Sequence, residues 1–280
     1  MKGLMLRIAS ASFVAGSLAV FVLPLLAPGQ ASPESLEPGS VKIHARDQQE
    51  YAWIPAGSFA MGCVPSDLEC DEDEKPRHTV TLSRGFWMGR TEVTVAAYER
   101  FAAAQGLPMP EAPDFNPGWQ RKDQPVVRVN WDQSQAYCSW IGGRLPTEAE
   151  FEYAARGGRD GAIYPWGDTV SHRFANYEGI EAPDEWENTA PGGKFPPNGF
   201  ALYDVSGNVW EWTADWYREW YYARSPETDP QGPEHGVDRV LRGGSWFNAP
   251  RVLRVSDRFK YVGPAKDNSL GFRCVCEALP

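Results

Sequence analysis

Hydrophobic residues fall in short runs along most of the chain, and glycine or proline separates one run from the next. Runs of roughly four to eight residues that alternate in polarity, or that are rich in β-branched and aromatic side chains, are typical of β-strands. Gly57 breaks the first pair of runs. The pattern predicts strands at residues 51–55, 58–61, 80–87, 241–246 and 270–276.

Helical periodicity occurs in three places, each behind a residue that can cap a helix N-terminus. Thr94 precedes apolar residues at helical spacing, and Asn130 is followed by a glutamine three positions on. Thr147 begins a Thr-Glu-Ala-Glu capping box. The helix behind Thr147 should end at the Gly-Gly pair at 157–158, because glycine tolerates the left-handed conformation that ends many helices.

The chain begins with an apolar run behind two basic residues. The run spans residues 8–27, no acidic residue comes before Glu34, and small residues follow of the kind a signal peptidase reads. An uncleaved anchor helix is the alternative, since the run approaches the length that spans a bilayer. The predicted division is a signal peptide at 1–31, a polar linker at 32–50 and one domain at 51–280.

Composition narrows the class of protein further. The 280 residues include 27 Gly and 24 Pro, which favours a loop-rich fold, and residues 160–200 show no periodicity. The formal net charge is −10, so no nucleic-acid partner is expected, because phosphate binding needs clustered Lys and Arg. Walker, G-x-S-x-G and G-x-G-x-x-G motifs are absent from the sequence. Standard NTPase, hydrolase and dinucleotide-binding functions therefore have no support.

The five cysteines would lie in an oxidising compartment after export, where disulfides persist. Cys63 and Cys70 can close a local loop. Cys274 and Cys276 are two positions apart on a predicted strand, so they share a face and should not bond each other. One of these two is expected to reach Cys138, and a metal site is the competing interpretation, although no pair has C-x-x-C spacing.

Nine motifs, in order, carry a family resemblance over roughly residues 51–278. Together they resemble the formylglycine-generating enzyme (sulfatase-modifying factor) family. The resemblance implies a single, irregular α+β domain related to C-type lectins, with bound calcium. The motifs are GSFAMG (57–62), EKPRH (74–78), RTEVT (90–94), PVVRVNW (125–131), GRLPTEAE (143–150), YPWG (164–167), NG (198–199) with GNVWEW (207–212), RGGSW (242–246) and NSLGFRC (268–274).

The resemblance also implies particular bonds. It favours a long-range disulfide between Cys138 and Cys274, which leaves Cys63–Cys70 as a local addition and Cys276 as the free thiol. Calcium prefers six to eight oxygen ligands, from carboxylates, amides and backbone carbonyls. One family calcium site matches Asp204, Gly207, Val209 and Glu211, and the other resembles Asn176, Tyr177, Asp184 and Trp186.

One departure from the family pattern bears on the chemistry. The resemblance implies a copper(I) site made by two cysteines five positions apart, just after the Gly-Gly-Ser-aromatic motif. Asn248 and Leu253 stand at those positions, and neither offers the thiolate that Cu(I) prefers. No copper is therefore expected, and formylglycine production is doubtful.

The remodelled cleft still has candidate groups. Ser245 and Asn248 are the catalytic candidates, and Trp246 matches the family's cleft floor. Arg251, Arg254 and Arg258 recur at helical spacing, which predicts one face that holds an anionic ligand. The alternative is that these arginines pair with the surplus carboxylates of the chain.

Two functions from different classes remain open at this point. The first is an exported, copper-free tailoring enzyme, oxidoreductase-like, that acts on a small molecule or peptide, as in the pyoverdine-maturation oxidases of the family. The second is a non-catalytic, calcium-stabilised, lectin-like module that binds a glycan or another cell-envelope ligand. Both imply a periplasmic or extracellular protein with no membrane span after signal cleavage.

Overall fold

Short elements carry the regular structure within Gly3 and residues 36–279, the part of the chain that the computed structural model describes. The predicted signal peptide lies, apart from Gly3, outside the described residues. The strands are β1 (Val41–Ile43), β2 (Glu50–Ile54), β3 (Gly57–Met61), β4 (His78–Leu82), β5 (Phe86–Gly89), β6 (Trp210–Trp216), β7 (Asp238–Arg242), β8 (Phe259–Val262), β9 (Leu270–Gly271) and β10 (Val275–Cys276). The helices are α1 (Val95–Gln105), α2 (Trp131–Trp140) and α3 (Glu148–Arg156).

The three helices begin where their capping residues predict. The Thr94 side chain accepts a hydrogen bond from the backbone of Ala97 at 3.3 Å. Asn130 and Thr147 each form a complete capping box with the residue three positions on. Helix α3 ends at Gly157, which adopts the left-handed conformation at φ 54°. Local hydrogen bonding alone determines these boundaries, so the sequence predicts them well.

The strands form three separate sheets. One has the order β1-β2-β5-β10, a second pairs β3 with β4, and the third has the order β8-β7-β6-β9. Strands β6 and β9 run parallel, and the other pairs are antiparallel. The predicted strand at 80–87 is two strands, and the one at 241–246 ends at Arg242, where two glycines with positive φ turn the chain.

The segment predicted as a linker is partly inside the fold. Strand β1 pairs with β2 through Val41 and Ala52, and the side chains of His44 and Asp47 are fully buried. Asp47 accepts hydrogen bonds from the hydroxyls of Tyr51 at 2.9 Å and Tyr137 at 3.0 Å. The linker prediction is therefore wrong for residues 36–50, because β1 pairs with β2 and the buried phenols of Tyr51 and the distant Tyr137 hold Asp47 in the core.

Both predicted disulfides are present. Cys138 on α2 bonds Cys274 across 136 residues, and Cys63 bonds Cys70. Among the cysteines of the described chain, Cys276 is free and buried. Helices of the described part are all too short or too polar to cross a lipid bilayer.

Asp215, near the end of β6, should make stability depend on pH. Its carboxylate accepts a hydrogen bond from the first backbone amide of α3, that of Glu148, at 2.8 Å. Burial, and then the charge of Glu148, raises the pKa of Asp215 to about 8. A raised pKa means that the folded state keeps the proton after the unfolded state, near pH 4, has lost it, so stability falls as pH rises to about 8.

The free energy of unfolding of the Asp215→Asn variant should therefore change less with pH. Between pH 5 and 7, its fall with rising pH should be smaller than that of the natural protein by about 1.4 kcal/mol per pH unit, the contribution of one proton. Urea unfolding at each pH measures it. Asp132→Asn, on the exposed face of α2, is the control and should keep the slope of the natural protein. An unchanged slope in Asp215→Asn would show that Asp215 is ionised in the folded state.

Candidate functional site

Three buried carboxyl groups share one arginine at the centre of the domain. Arg273 donates two hydrogen bonds of 2.7 Å to the two carboxylate oxygens of Glu211, at the start of β6. Asp204 and Glu92 are also buried, and Asp204 accepts a backbone hydrogen bond from Gly193 at 2.7 Å. This group of acids has more negative charge than the single guanidinium neutralises.

The pKa values reflect that excess. Burial raises the pKa of Asp204 to about 6, and it also raises the pKa of Glu211. The pKa of Glu92 is raised well above its usual value by burial and then by the charge of Asp204. Each carboxylate is therefore costly in its ionised form, and a bound cation would relieve that cost.

Asn208 connects these acids to a second polar segment. Its side-chain nitrogen donates to Glu92 at 3.1 Å, and its backbone amide donates to the carbonyl of Asn176 at 2.8 Å. Within the described residues, Asn176 Oδ1 and Glu92 Oε2 are buried and have no hydrogen-bond partner. Gly207 lies so close that a Cβ there would meet the Asn176 carbonyl at 2.5 Å. Buried oxygens without a partner are rare in folded proteins, and oxygens of this kind suit a cation such as calcium.

The second predicted calcium set is only partly free. Asp184 Oδ2 lies 2.9 Å from Nδ1 of His172, and Oδ1 accepts from the backbone of Trp186 at 3.2 Å. Burial raises the pKa of Asp184. The Tyr177 ring stacks on His172 with 3.7 Å between ring centroids. The structure thus places His172 and the Trp186 backbone amide against the Asp184 carboxylate.

The sequence reasoning did not select Glu92 or Asn208. Both lie inside quoted motifs, Arg-Thr-Glu-Val-Thr and Gly-Asn-Val, and apolar residues follow each of them. A carboxylate or amide followed by apolar residues could have indicated these two site residues, because a polar group in a buried segment requires partners. Carboxylate and amide oxygens are also the donor set that calcium prefers, so the residues present fit that ion.

Ser245 and Asn248 form a polar pair directly after the Gly-Gly turn. The Ser245 hydroxyl is fully buried and donates to Asn248 Oδ1 at 2.5 Å. Two bonds tie this pair to the polar segment. The Trp246 amide donates to the Asn208 carbonyl at 2.9 Å, and the Glu178 amide donates to the Asn248 carbonyl at 3.1 Å. The candidate catalytic pair is therefore held by the same loops that carry the candidate calcium ligands.

A cavity of about 750 Å³ lies near Trp246. Phe115 lines the cavity and packs edge-on against the Trp246 ring, with 5.9 Å between the centroids. Trp246 also donates its indole N–H to the Asn268 carbonyl at 3.3 Å. The predicted position of Trp246 at a cleft is consistent with this contact.

The three arginines do not form a shared anion site. Arg251 is exposed and pairs with Asp71 at 2.5 Å, whereas Arg254 and Arg258 are buried. Arg254 donates to Glu74, Asp67 and Asp257, and Arg258 donates to both oxygens of Glu148 at 2.6 and 2.9 Å. The prediction of an anionic ligand on Arg254 and Arg258 is wrong, because protein carboxylates already occupy both side chains.

The fold is an irregular α+β domain. Loops that carry buried carboxylates and amides hold its Gly-Gly-Ser turn. Residues 38–278 match the sulfatase-modifying factor enzyme 1-like domain. The chain belongs to that family, which includes proteins named formylglycine-generating enzymes. The expected fold class, an irregular α+β formylglycine-generating-enzyme fold, is confirmed.

Individual relatives span most of the domain. The formylglycine-generating enzyme of Streptomyces coelicolor is 34% identical over 91% of this chain and 97% of its own length. The structure of PvdO from Pseudomonas aeruginosa is 30% identical, with a TM-score of 0.76, over 85% of this chain and 98% of that one. The inactive C-alpha-formylglycine-generating enzyme 2 of Mus musculus is 39% identical over 57% of this chain and 51% of its own length. Family membership is therefore compatible with different activities.

Proposed function

We propose that this protein is an exported, copper-free member of the family that tailors a small molecule or peptide at the cleft beside Ser245. The observation that carries the proposal is the Ser245–Asn248 hydrogen bond. Asn248 supplies an amide at the position where the resemblance implies a copper-binding thiolate, and the buried Ser245 hydroxyl precedes Trp246, whose ring contacts the cavity-lining Phe115. The protein would work in the periplasm or outside the cell, and it needs no nucleic-acid partner.

The residues present do not fit copper. Asn248 offers an amide, and Leu253 is a fully buried hydrocarbon side chain packed among Tyr164, Ala175 and Tyr177. Cu(I) binding in proteins depends on soft sulfur ligands. Of the cysteines in the described range, four form disulfides and Cys276 is buried on β10. We therefore assign no step to copper and do not propose formylglycine production.

Calcium is the proposed structural cofactor. Asp204 and Glu211 would supply side-chain oxygens of one site, and Gly207 and Val209 its backbone carbonyls. Asn176 and Asp184 would supply side chains of the other, with the carbonyls of Tyr177 and Trp186. The ions would neutralise buried charge and fix the loops that hold Ser245 and Asn248 through Trp246 and Glu178.

A peptide assay tests the loss of the family reaction. The mature protein with Ca²⁺, Cu(I) and O₂ should leave a Cys-x-Pro-x-Arg peptide unmodified by mass spectrometry, while the Streptomyces coelicolor relative serves as the positive control. Conversion to formylglycine would overturn the proposal, because it would show that another group holds the oxidant. The controls for folding are circular dichroism and the melting temperature.

The second candidate function is a lectin-like recognition module. It is supported by the Mus musculus relative whose name describes it as inactive. Oxygen uptake with candidate small molecules and peptides separates the two functions. If the protein is an enzyme, Ser245→Ala and Asn248→Ala should abolish uptake, whereas the exposed Ser139→Ala should leave it unchanged. If it only binds a glycan, the two cleft variants should at most weaken binding, and no substrate should be consumed.

A further inference from the structure

Strand β8 is the outer strand of its sheet, and the described residues leave its outer edge open. The sheet has the order β8-β7-β6-β9, so β8 is hydrogen-bonded to β7 alone. All four residues of β8 are exposed, among them Phe259 at 45%, Tyr261 at 41% and Val262 at 45%. An exposed apolar edge is a template on which another strand can pair. One side of β8 is thus available to a further strand.

The register of the sheet determines which backbone groups of β8 point outward. The Tyr217 amide donates to the Asp238 carbonyl at 2.7 Å, so Asp238 faces β6. The direction alternates along a strand, and the next residue, Arg239, therefore faces β8. Arg239 pairs with Tyr261. Tyr261 is hence bonded to β7, and the residue on each side of it points its backbone groups away from β7.

The two residues beside Tyr261 offer three free backbone groups. The Val262 carbonyl accepts a hydrogen bond from the Ala265 amide at 2.9 Å, which agrees with its outward direction. The N–H and C=O of Lys260 and the N–H of Val262 remain at the open edge. Their spacing is that of an antiparallel ladder, so one extended peptide can bond to all three.

The two faces of β8 present different side chains. Phe259 and Tyr261 share one face, with 6.3 Å between their rings, and Phe259 stacks on the buried Trp210 at 5.2 Å. Lys260 lies on the other face. An edge lysine can block strand pairing, but here Nζ lies over the Tyr217 ring, 4.3 Å from its centroid, which leaves the edge accessible. An added strand would therefore meet an aromatic face and a basic face.

The edge is basic, although the chain as a whole is acidic. Residues 259–266 include two lysines and no acidic residue, whereas the formal net charge of the chain is −10. The lysines that form ion pairs within the described residues are Lys75 and Lys122, so Lys260 and Lys266 have no carboxylate partner there. Oppositely charged residues stabilise a strand pair when they lie opposite each other, and like charges destabilise it. An acidic peptide therefore suits this edge better than a second copy of β8.

We infer that β8 binds an extended peptide, with alternating apolar and acidic residues, as an additional antiparallel strand. The peptide residue opposite Lys260 exchanges two backbone hydrogen bonds with it and is acidic. The residues on either side place apolar side chains against Phe259 and Tyr261. Phe259 pairs with Leu241, close to the point where β7 leads into the Ser245 turn. The inference rests on the proposed function in one respect, because it names a peptide as the substrate class of that cleft.

Backbone-methylated peptides test the added strand on the natural protein. The probe is Ac-Thr-Val-Tyr-Glu-Val-Thr-NH₂, with its glutamate opposite Lys260, titrated calorimetrically into the full mature protein with calcium. N-methylation of the glutamate removes the N–H that donates to the Lys260 carbonyl and should weaken binding at least about tenfold. N-methylation of the tyrosine, whose N–H points away from β8, should change the affinity less than about threefold. Equal losses from the two methylations, or no binding of the unmethylated probe at millimolar concentration, would overturn the proposal.

A charge-reversed probe ties the binding to Lys260. Replacement of the probe's glutamate by lysine should weaken binding about two- to fivefold. The Lys260→Thr variant keeps the backbone groups and a good strand residue, and it should bind both probes equally. Lys42→Thr, on the exposed strand β1, is the matched control and should keep the preference for glutamate. An unchanged preference in Lys260→Thr would place the peptide elsewhere and contradict the site.

Sedimentation velocity tests the other occupant of the edge. A dimer of the natural protein that Lys260→Pro dissociates would show that a second copy pairs with β8, and it would overturn the peptide proposal. Proline is tolerated on an edge strand where the replaced N–H faces outward, so this variant should fold.

The titrations require no turnover, so their outcome is independent of the tests of the proposed function. If no probe binds, the oxygen-uptake and peptide-modification assays still decide whether the protein is an enzyme. If the probe binds in the predicted register but no substrate is consumed, the strand site stands and the tailoring role is contradicted.

Discussion

Replacement of Arg254 by methionine should destabilise the protein by about 3–5 kcal/mol, the usual cost of removing one partner from a buried ion network. The Arg254 side chain is 1% exposed and donates to Glu74 at 2.7 and 2.9 Å, to Asp67 at 2.8 Å and to Asp257 at 2.9 Å. Its loss leaves three buried carboxylates without their common counter-charge. Urea unfolding at pH 7 measures the change.

Arg251→Met is the matched control, because Arg251 is three positions away and belongs to the same basic segment. Its side chain is 45% exposed, and Asp71 is its ion-pair partner at 2.5 Å. A surface pair of this kind contributes about 0–1 kcal/mol. Equal losses in the two variants would contradict the network account.

A double variant keeps the test useful if Arg254→Met folds poorly. Glu74→Gln removes the carboxylate that makes two of the hydrogen bonds to Arg254. Adding it to Arg254→Met should restore part of the lost stability, because one unpaired buried charge disappears. If the destabilisation of the double variant equals the sum of the destabilisations of the two single variants, the two residues are not coupled.

Calcium removal should have the second large effect. A ligand at one hundred times its Kd stabilises the folded state by about 2.7 kcal/mol per site. For a domain of this size, each kcal/mol corresponds to a shift of about 2–4 °C in Tm. Chelation should therefore lower Tm by about 5–10 °C per site, and Ca²⁺ should restore it, with Mg²⁺ as the control ion.

Asp204→Asn should change the stability of the calcium-free and the calcium-bound protein in opposite directions. Without calcium the variant should be more stable than the natural protein, because burial and the neighbouring acids disfavour the Asp204 charge. With calcium it should be less stable, because a ligand carboxylate is gone. Asparagine also tolerates the left-handed backbone of this position, where φ is 54°. Identical Tm responses to calcium in the variant and the natural protein would count against the site.

The motifs predicted some of the buried polar residues of the candidate site and missed others. Asn176, Tyr177, Asp184 and Trp186 span an irregular loop in which His172 and the Trp186 amide contact the Asp184 carboxylate, and their calcium role stays a prediction. Glu92 escaped prediction because it lies more than eighty residues before Asn176 along the chain, and Asn208 alone connects the two in space. A link of this kind depends on loop paths that no periodicity encodes.

The arginines show the opposite outcome. Their spacing predicted one face of a helical turn. The segment forms only a short 3₁₀ helix, Pro250–Leu253, which ends before Arg254. Arg254 then reaches the acidic segment 67–74, and Arg258 reaches Glu148 on α3. The charges were visible in the sequence, but apart from Asp257 the acidic partners of Arg254 and Arg258 lie more than one hundred residues away.

The sequence by itself determined the family, the three helix starts and both disulfide pairings, because caps, ordered motifs and cysteine positions are local or carried by the resemblance. It also predicted that Asn248 and Leu253, at the positions where the resemblance implies copper ligands, do not bind Cu(I). Only the tertiary structure decided which polar groups are buried without partners, which arginines are neutralised and where the cavity near Trp246 lies. These properties arise from long-range packing, since burial and charge pairing depend on segments that meet only in the folded chain.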